Sequence, residues 1–351
     1  MKKVAILTIT NSGMNFGNRL QNYALQEALK RCGADVKTIR SAKSVKRSLL
    51  LSKIRKIVKA IVKNSKRRKI YADFENRYIK YDSLIRFENV NEAVFSDRYD
   101  AFVAGSDQVW NPNFHFNSDF EFASFAPKEK RYSYAASIGV SSITDEQRAD
   151  FIKNLIGMQK ISVREHDSVG LVENLTGIRP EVHIDPTMLL EADVYRTIEE
   201  KPDYAIPGKY LFMYFLGNVS EEYRQKIEKI AAEKNLKIVK FTETEGEPFY
   251  NIGPQHFLYL LDHADYICTD SFHGTVFSIL FEKQFAIFTR QDKDVQMNSR
   301  IETLVDTFGV QSRLLSYMDD EYFKEIHYSD IRKILVEKRE SAYDYLNSIC
   351  S

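Results

Sequence analysis

Five places in this sequence set chemically capable polar residues where an apolar run ends and a helical pattern begins. The fullest is TDSFHGTVFS, with Asp270, Ser271, His273 and Gly274 side by side. Asp270 or Ser271 can cap the helix that follows, which leaves His273 in its first turn at the positive end of the dipole. Gly274 would let a ligand approach the backbone, and phosphate is well served at such a helix start. A histidine there can donate to a phosphate oxygen or carry a proton near neutral pH. The alternative is a capped helix with a half-buried histidine.

The other four turns are simpler. TNSGMNFGNRLQNYAL brings Asn15, Gly17, Asn18 and Gln21 to a helix entry. Amides at a helix start, with glycine beside them, suit an anion or a polar sugar. The three-glycine dinucleotide spacing is missing, and an Asn cap alone also accounts for the pattern. YDAFVAGSDQVWNPNF crowds Ser106, Asp107, Gln108 and Trp110 into one loop, where the tryptophan could wall a sugar ring and Asp107 could act as a base. A turn closed by Pro112 is the structural reading. In KISVREHDSVGLV, Arg164 could grip a carboxylate or phosphate in bidentate fashion or pair with Glu165 or another acid. In EVHIDPTMLL, Asp185 before Pro186 could be a second acid–base group or simply an Asx-type turn.

The remaining histidines show no metal-ligand spacing, so no metal is expected. No nucleophile elbow appears, although spacing alone leaves Ser–His and Cys–His pairs open.

Strand and helix patterns alternate around these turns. Strands are expected at 4–10, 35–39, 99–103, 132–136, 161–163 and 182–184, with helices at 17–32, 145–158 and 167–175. The pattern restarts after EEKPDYAIPGKY, a charged and proline-containing stretch that reads as a linker. Strands follow at 210–216, 238–241, 266–269 and 285–289, with helices at 221–234, 254–263 and 274–281. A long amphipathic helix covers about 328–347. Alternation of this kind predicts parallel sheets with helices on both faces. It gives an α/β chain with a domain over 1–200, a second over 208–325 and a C-terminal helix at 326–351.

The balance of 50 Lys and Arg against 49 Asp and Glu rules out a polyanion binder acting through the whole molecule. The three cysteines, Cys32, Cys268 and Cys350, are odd in number and far apart, so no disulfide framework is expected and a reducing compartment fits best. The opening MKKVAILTITNSG has too short an apolar run for a signal peptide and reads as the first strand. The segment 43–70 is rich in Lys and Arg, contains no acid, and spaces Leu50, Ile54, Ile57, Val58 and Ile61 as on a helix. That pattern suits a membrane surface or an inserted helix packed on its domain. Nucleic acid is not expected as a partner, because no aromatics interleave with these basic residues.

Taken in order, NFGNRLQNYAL, GSDQVWNP, SVRE, IDPT, GPQHFL, TDSFHGTVFS and NSRI resemble the polysaccharide pyruvyl transferase family, from Asn15 to Ile301. The resemblance implies a GT-B-like fold, two Rossmann-like domains with parallel sheets facing a central cleft. The first would form the acceptor side and include the basic segment; the second would hold the donor phosphate. It further implies transfer of a pyruvyl group from phosphoenolpyruvate to a sugar of a surface polysaccharide or its lipid-linked precursor, as a ketal. Phosphoenolpyruvate would be a substrate, and no cofactor is expected. By motif position Arg164 and His273 would bind the donor. Some relatives carry an arginine where Ser271 stands, and Arg300 or Arg290 could supply that charge. Asp107 is the first choice of base, with Asp185 behind it. A cytoplasmic protein touching the inner face of the membrane through 43–70, able to form a homo-oligomer, fits this reading. A nucleotide-sugar glycosyltransferase of the same fold and a non-catalytic sugar-phosphate binding protein are the alternatives.

Overall fold

The segment Lys3–Leu7 reads KVAIL and buries its last four residues, as a central strand of a parallel sheet must when helices cover both faces. The computed structural model describes residues 1–10, 13–40, 65–84, 95–114, 119–290, 299–315 and 324–351. They fall into two units, Met1–Leu189 with Glu340–Ser351, and Leu190–Arg339.

Unit 1 runs β1 (Lys3–Leu7), α1 (Phe16–Arg31), β2 (Asp35–Thr38), α2 (Ser65–Tyr78), β3 (Ala101–Gly105), β4 (Arg131–Tyr134), α3 (Asp145–Ile156), β5 (Ser162–Val163), α4 (His166–Thr176) and β6 (Glu181–Val182). Its sheet has the order β2-β1-β3-β4 and every pairing is parallel. β5 and β6 form a parallel pair, and bridges from Tyr132 to Lys160 and from Ala136 to Val163 continue the sheet beyond β4. α1 is buried on almost every side, so its polar residues need partners. Gln26 Nε2 donates to Thr38 Oγ1 at 2.7 Å, and Thr38 Oγ1 donates to Asn22 Oδ1 at 2.6 Å.

Unit 2 runs α5 (Ala192–Arg196), β7 (Tyr210–Tyr214), α6 (Glu221–Glu233), β8 (Lys237–Lys240), α7 (Pro254–Asp262), β9 (Tyr266–Thr269), α8 (Phe272–Leu280), β10 (Gln284–Ile287) and α9 (Ser299–Phe308). Its parallel sheet has the order β10-β9-β7-β8. This is the unit 1 order again: the second strand lies on one side of the first, and the third and fourth lie on the other. The last helix, α10 (Tyr328–Cys350), is divided between the units at Arg339–Glu340.

The α/β class and the two Rossmann-like, parallel-sheet halves expected from the sequence are what the chain adopts. The boundaries differ. The first unit ends at Leu189 rather than near 200, and the stretch 199–210 belongs to unit 2. There Glu200 N–H donates to Gln255 O at 3.1 Å, and the Tyr204 ring packs 5.1 Å from that of Phe249. Its charge and prolines resemble a linker, but its aromatic and backbone groups are docked. The C-terminal helix is not a separate element either. Ala342, Tyr345, Leu346 and Ile349 are buried in unit 1. Tyr345 Oη donates to Ser133 O at 2.8 Å. Of the basic segment, 43–64 lie outside the described residues, and 65–70 open α2, where Tyr71 stacks on Phe16 of α1 at 5.8 Å. Among the described residues, no helix is long and apolar enough to cross a membrane.

Near the start of unit 2, Arg196 forks onto Asp262, with Nε to Oδ2 at 2.8 Å and Nη2 to Oδ1 at 3.0 Å. Glu199 lies alongside, and burial, then the Asp262 charge, push its carboxyl up to about 7.

Two expectations follow from this packing. Leu346→Ala should destabilise the protein by about 2–5 kcal/mol, read as a lower urea midpoint; an unchanged midpoint would show that 340–351 is not part of the unit 1 core. For Glu199, the folded pKa lies above the ordinary 4.5, so the folded state holds its proton more tightly than the unfolded state. Its contribution to stability is therefore full below the unfolded pKa and is lost as pH rises toward about 7. Glu199→Gln should flatten the fall in thermal midpoint across that window; an unaltered slope would place the titration elsewhere.

Candidate active site

In an open parallel sheet, ligands collect beyond the carboxyl ends of the strands where the strand order reverses. In unit 1 the reversal lies between β1 and β3. The loops leaving those strands hold Asn15, Ser106 and Asp107, and Asn18 lies in the first turn of α1. In unit 2 it lies between β7 and β9, and the loop leaving β9 carries the Asp270–Gly274 turn.

The unit 1 loops are tied together by their own polar groups. Thr8 Oγ1 donates to Ser106 O at 3.2 Å, and Gln21 Nε2 donates to Thr8 Oγ1 at 3.0 Å. Asn15 caps α1, its Oδ1 accepting from Asn18 N–H at 3.0 Å, with Gly17 buried in the first turn. Asn18 Nδ2 in turn donates to Asp107 Oδ2 at 3.3 Å, while Asp107 Oδ1 accepts from Gln108 N–H at 2.9 Å. Asp107 is partly exposed and holds a φ of 61°. A left-handed backbone costs an L-residue energy, and such strain concentrates at functional sites.

Behind this loop lies a buried ion cluster. Arg164 Nη1 bonds Asp185 Oδ2 at 2.6 Å, and its Nε is 3.7 Å from Glu165 Oε2. Asp185 also accepts from Ser106 Oγ at 3.3 Å and from Thr187 N–H and Oγ1 at 3.0 and 2.7 Å. Glu165 Oε1 accepts from Ser137 Oγ at 2.7 Å and Gly139 N–H at 3.0 Å. Burial works to lower the Arg164 pKa, but Asp185, Glu165 and Asp107 together outweigh it, so the guanidinium stays charged with its pKa raised.

These contacts revise several expectations. Asp185 is buried, with both oxygens bonded and Oδ2 paired to a guanidinium; it positions Arg164 and is poorly placed to move protons. Trp110 is fully buried, stacked on Phe122 at 4.9 Å, with Nε1 donating to Glu121 O at 3.2 Å. It belongs to the core and does not wall a sugar. Gln21 is likewise fully buried and bridges β1 and α1, and Gln108 turns inward to accept from Asn111 Nδ2 at 2.6 Å. Ser106 is spent on Asp185. Asp107 and Asn15 are the named unit 1 residues that keep some exposure.

In unit 2, Ser271 rather than Asp270 caps α8, its Oγ accepting from Gly274 N–H at 3.3 Å. Gly274 serves packing and not ligand access: a Cβ there would lie 2.4 Å from Thr269 Oγ1. That hydroxyl is itself fixed, donating to Tyr214 O at 2.7 Å and accepting from Ser271 N–H at 3.0 Å. His273 follows in the first turn, partly exposed. Asp270, buried, takes a role the sequence did not signal. Its Oδ1 accepts from Leu216 N–H at 2.7 Å and its Oδ2 from Gly217 N–H at 2.8 Å, clamping the loop after β7 to the loop after β9. Arg290 Nε adds a contact to Asp270 Oδ2 at 3.4 Å. Arg290 thus stands at the turn, whereas Arg300 is buried in the first turn of α9, which packs on α8.

Among the described residues, Glu199, Asp262 and His263 come close enough together to share a metal ion. Arg196 already occupies both oxygens of Asp262, so a cation would have to displace a guanidinium.

Solved structures similar to this chain include the UDP-GlcNAc 2-epimerase of Neisseria meningitidis, determined with UDP-GlcNAc bound. It has 11% identity and a TM-score of 0.45, with 97% of this chain and 100% of that one covered. The corresponding enzyme of Methanocaldococcus jannaschii has 11% identity, a TM-score of 0.46 and coverage of 97% and 92%. HepE of Anabaena, determined with UDP and glucose, has 10% identity, a TM-score of 0.47 and coverage of 99% and 100%. Likeness at this level says nothing about chemistry. Among curated proteins none matches the sequence. A family model described as polysaccharide pyruvyl transferase matches residues 15–292. With well over half of its length matched, the chain belongs to the polysaccharide pyruvyl transferase family.

Proposed function

We propose that the enzyme moves a pyruvyl group from phosphoenolpyruvate onto two hydroxyls of a sugar, free or lipid-linked, and closes them into a cyclic ketal. The observation that carries this reading is His273, partly exposed in the first turn of α8 at the unit 2 switch point, within the family match. The donor carries about three negative charges at neutral pH, given a second phosphate pKa of about 6. A helix start, an imidazole and the Arg290 guanidinium form a suitable set for its phosphate. The resemblance assigns Arg164 to the donor as well; its guanidinium is buried in unit 1 and engaged by Asp185 and Glu165.

The chemistry balances without an added cofactor. A proton delivered to the donor methylene leaves C2 electrophilic. A sugar hydroxyl adds to C2 and passes its proton to Asp107. The C–O bond to phosphate breaks as His273 donates to the leaving oxygen. A second hydroxyl then adds to C2 and passes its proton to the His273 imidazole left neutral by the previous step, closing the ketal. Asp107 is assigned the base because it is accessible and Asn18 orients its Oδ2.

Incubation with phosphoenolpyruvate and a panel of lipid-linked or pyrophosphate-linked sugars, read by mass spectrometry, should give a pyruvylated sugar and free phosphate. His273→Ala should lower that turnover by at least ~10² with the thermal midpoint retained. A midpoint raised by UDP and not by phosphoenolpyruvate would overturn the reading in favour of a nucleotide-sugar transferase. Asp107→Asn keeps an acceptor oxygen in the loop and a residue that tolerates a positive φ, so the thermal midpoint should be retained while turnover falls ~10²–10⁴-fold. A variant that keeps full turnover would remove Asp107 from this role.

A further inference from the structure

Cys32 and Cys350 lie at opposite ends of the sequence, yet the fold of unit 1 brings them together. Cys32 is the C-cap of α1, and Cys350 ends α10. The junction is built on both sides. Arg31 Nη1 donates to Tyr343 Oη at 3.3 Å, Lys2 Nζ donates to Ile349 O at 3.3 Å, and Ile349 is fully buried. The two thiols are neighbours, each close enough to shift the other's ionisation, and each is half-buried rather than sealed in the core. Cys268, the third thiol, is fully buried in the unit 2 sheet.

We propose that Cys32 and Cys350 form a peroxide-responsive dithiol that closes into a disulfide and clips the end of α10 to the end of α1. The pair has an internal division of labour. The neighbouring Cys32 thiol and the Lys2 charge lower the Cys350 pKa, so Cys350 ionises more readily than an ordinary thiol. The same pairing, reinforced by burial, holds the proton on Cys32. The Cys350 thiolate attacks one oxygen of hydrogen peroxide, breaking the O–O bond and releasing hydroxide, which takes up a proton to leave as water. The resulting sulfenic acid is attacked by the Cys32 sulfur; the S–S bond forms, the S–O bond breaks and a second water leaves. Two thiols and one peroxide give one disulfide and two waters. The two ends of the link lie 318 positions apart, so closure constrains nearly the whole unfolded chain.

The test uses the full-length reduced protein treated with a slight excess of hydrogen peroxide. The expected product is lighter by two hydrogens, yields a Cys32–Cys350 linked peptide on digestion, keeps Cys268 as a thiol and unfolds at a higher urea concentration. Cys32→Ser and Cys350→Ser should each abolish both the link and the stabilisation. Gain of oxygen on separate sulfurs, a link between two copies, or a link that leaves the urea midpoint unmoved would overturn the proposal. None of these readouts involves sugar chemistry, so the result is independent of the donor assignment.

Discussion

Two buried carboxylates hold the loops that carry the candidate site residues. A charge removed from water is tolerated only if it is paired and hydrogen-bonded, and each of these is used to fix a loop. Asp185 gathers Arg164, Ser106 and Thr187 in unit 1. Asp270 gathers two consecutive backbone amides and Arg290 in unit 2. In both cases the carboxylate sits beyond the strand ends, where the chain leaves the sheet and its amides and hydroxyls would otherwise lack partners.

The repeated strand order gives these clamps a common logic. In each unit the first strand has the second on one side and the third on the other. The two loops leaving the first and third strands must therefore diverge, and something has to join them. Unit 1 uses Thr8 on Ser106 O and Asn18 on Asp107; unit 2 uses Asp270 on the amides of Leu216 and Gly217. Among the side chains that this arrangement leaves partly exposed, Asp107 and His273 have acid–base capability.

Much of this was legible in the sequence because it depends on local pattern. The apolar runs of β1, β7 and β9, the caps at Asn15 and Ser271, and the turns after β1, β3 and β9 all follow from neighbours along the chain. What sequence did not reveal depends on residues far apart. Trp110 among polar neighbours looks exposed until Phe122 stacks on it. Gly274 looks like room for a ligand until Thr269 fills the space. Asp270 reads as a cap because its true partners lie more than fifty positions earlier. The cysteines look isolated because their proximity is a property of two helix ends. The stretch 199–210 looks like a linker because composition cannot show that Tyr204 docks on Phe249.

Unit 1 is discontinuous in sequence, whereas unit 2 is a single run. On a ribosome, domains tend to form in the order in which they emerge. Here that order is broken: 190–339 can finish folding as it appears, but the half begun first must wait with Tyr345, Leu346 and Ile349 unfilled until 340–351 has been made. Its nascent sheet therefore passes through a period with a core slot open to solvent, the stage at which a holdase chaperone has most to protect.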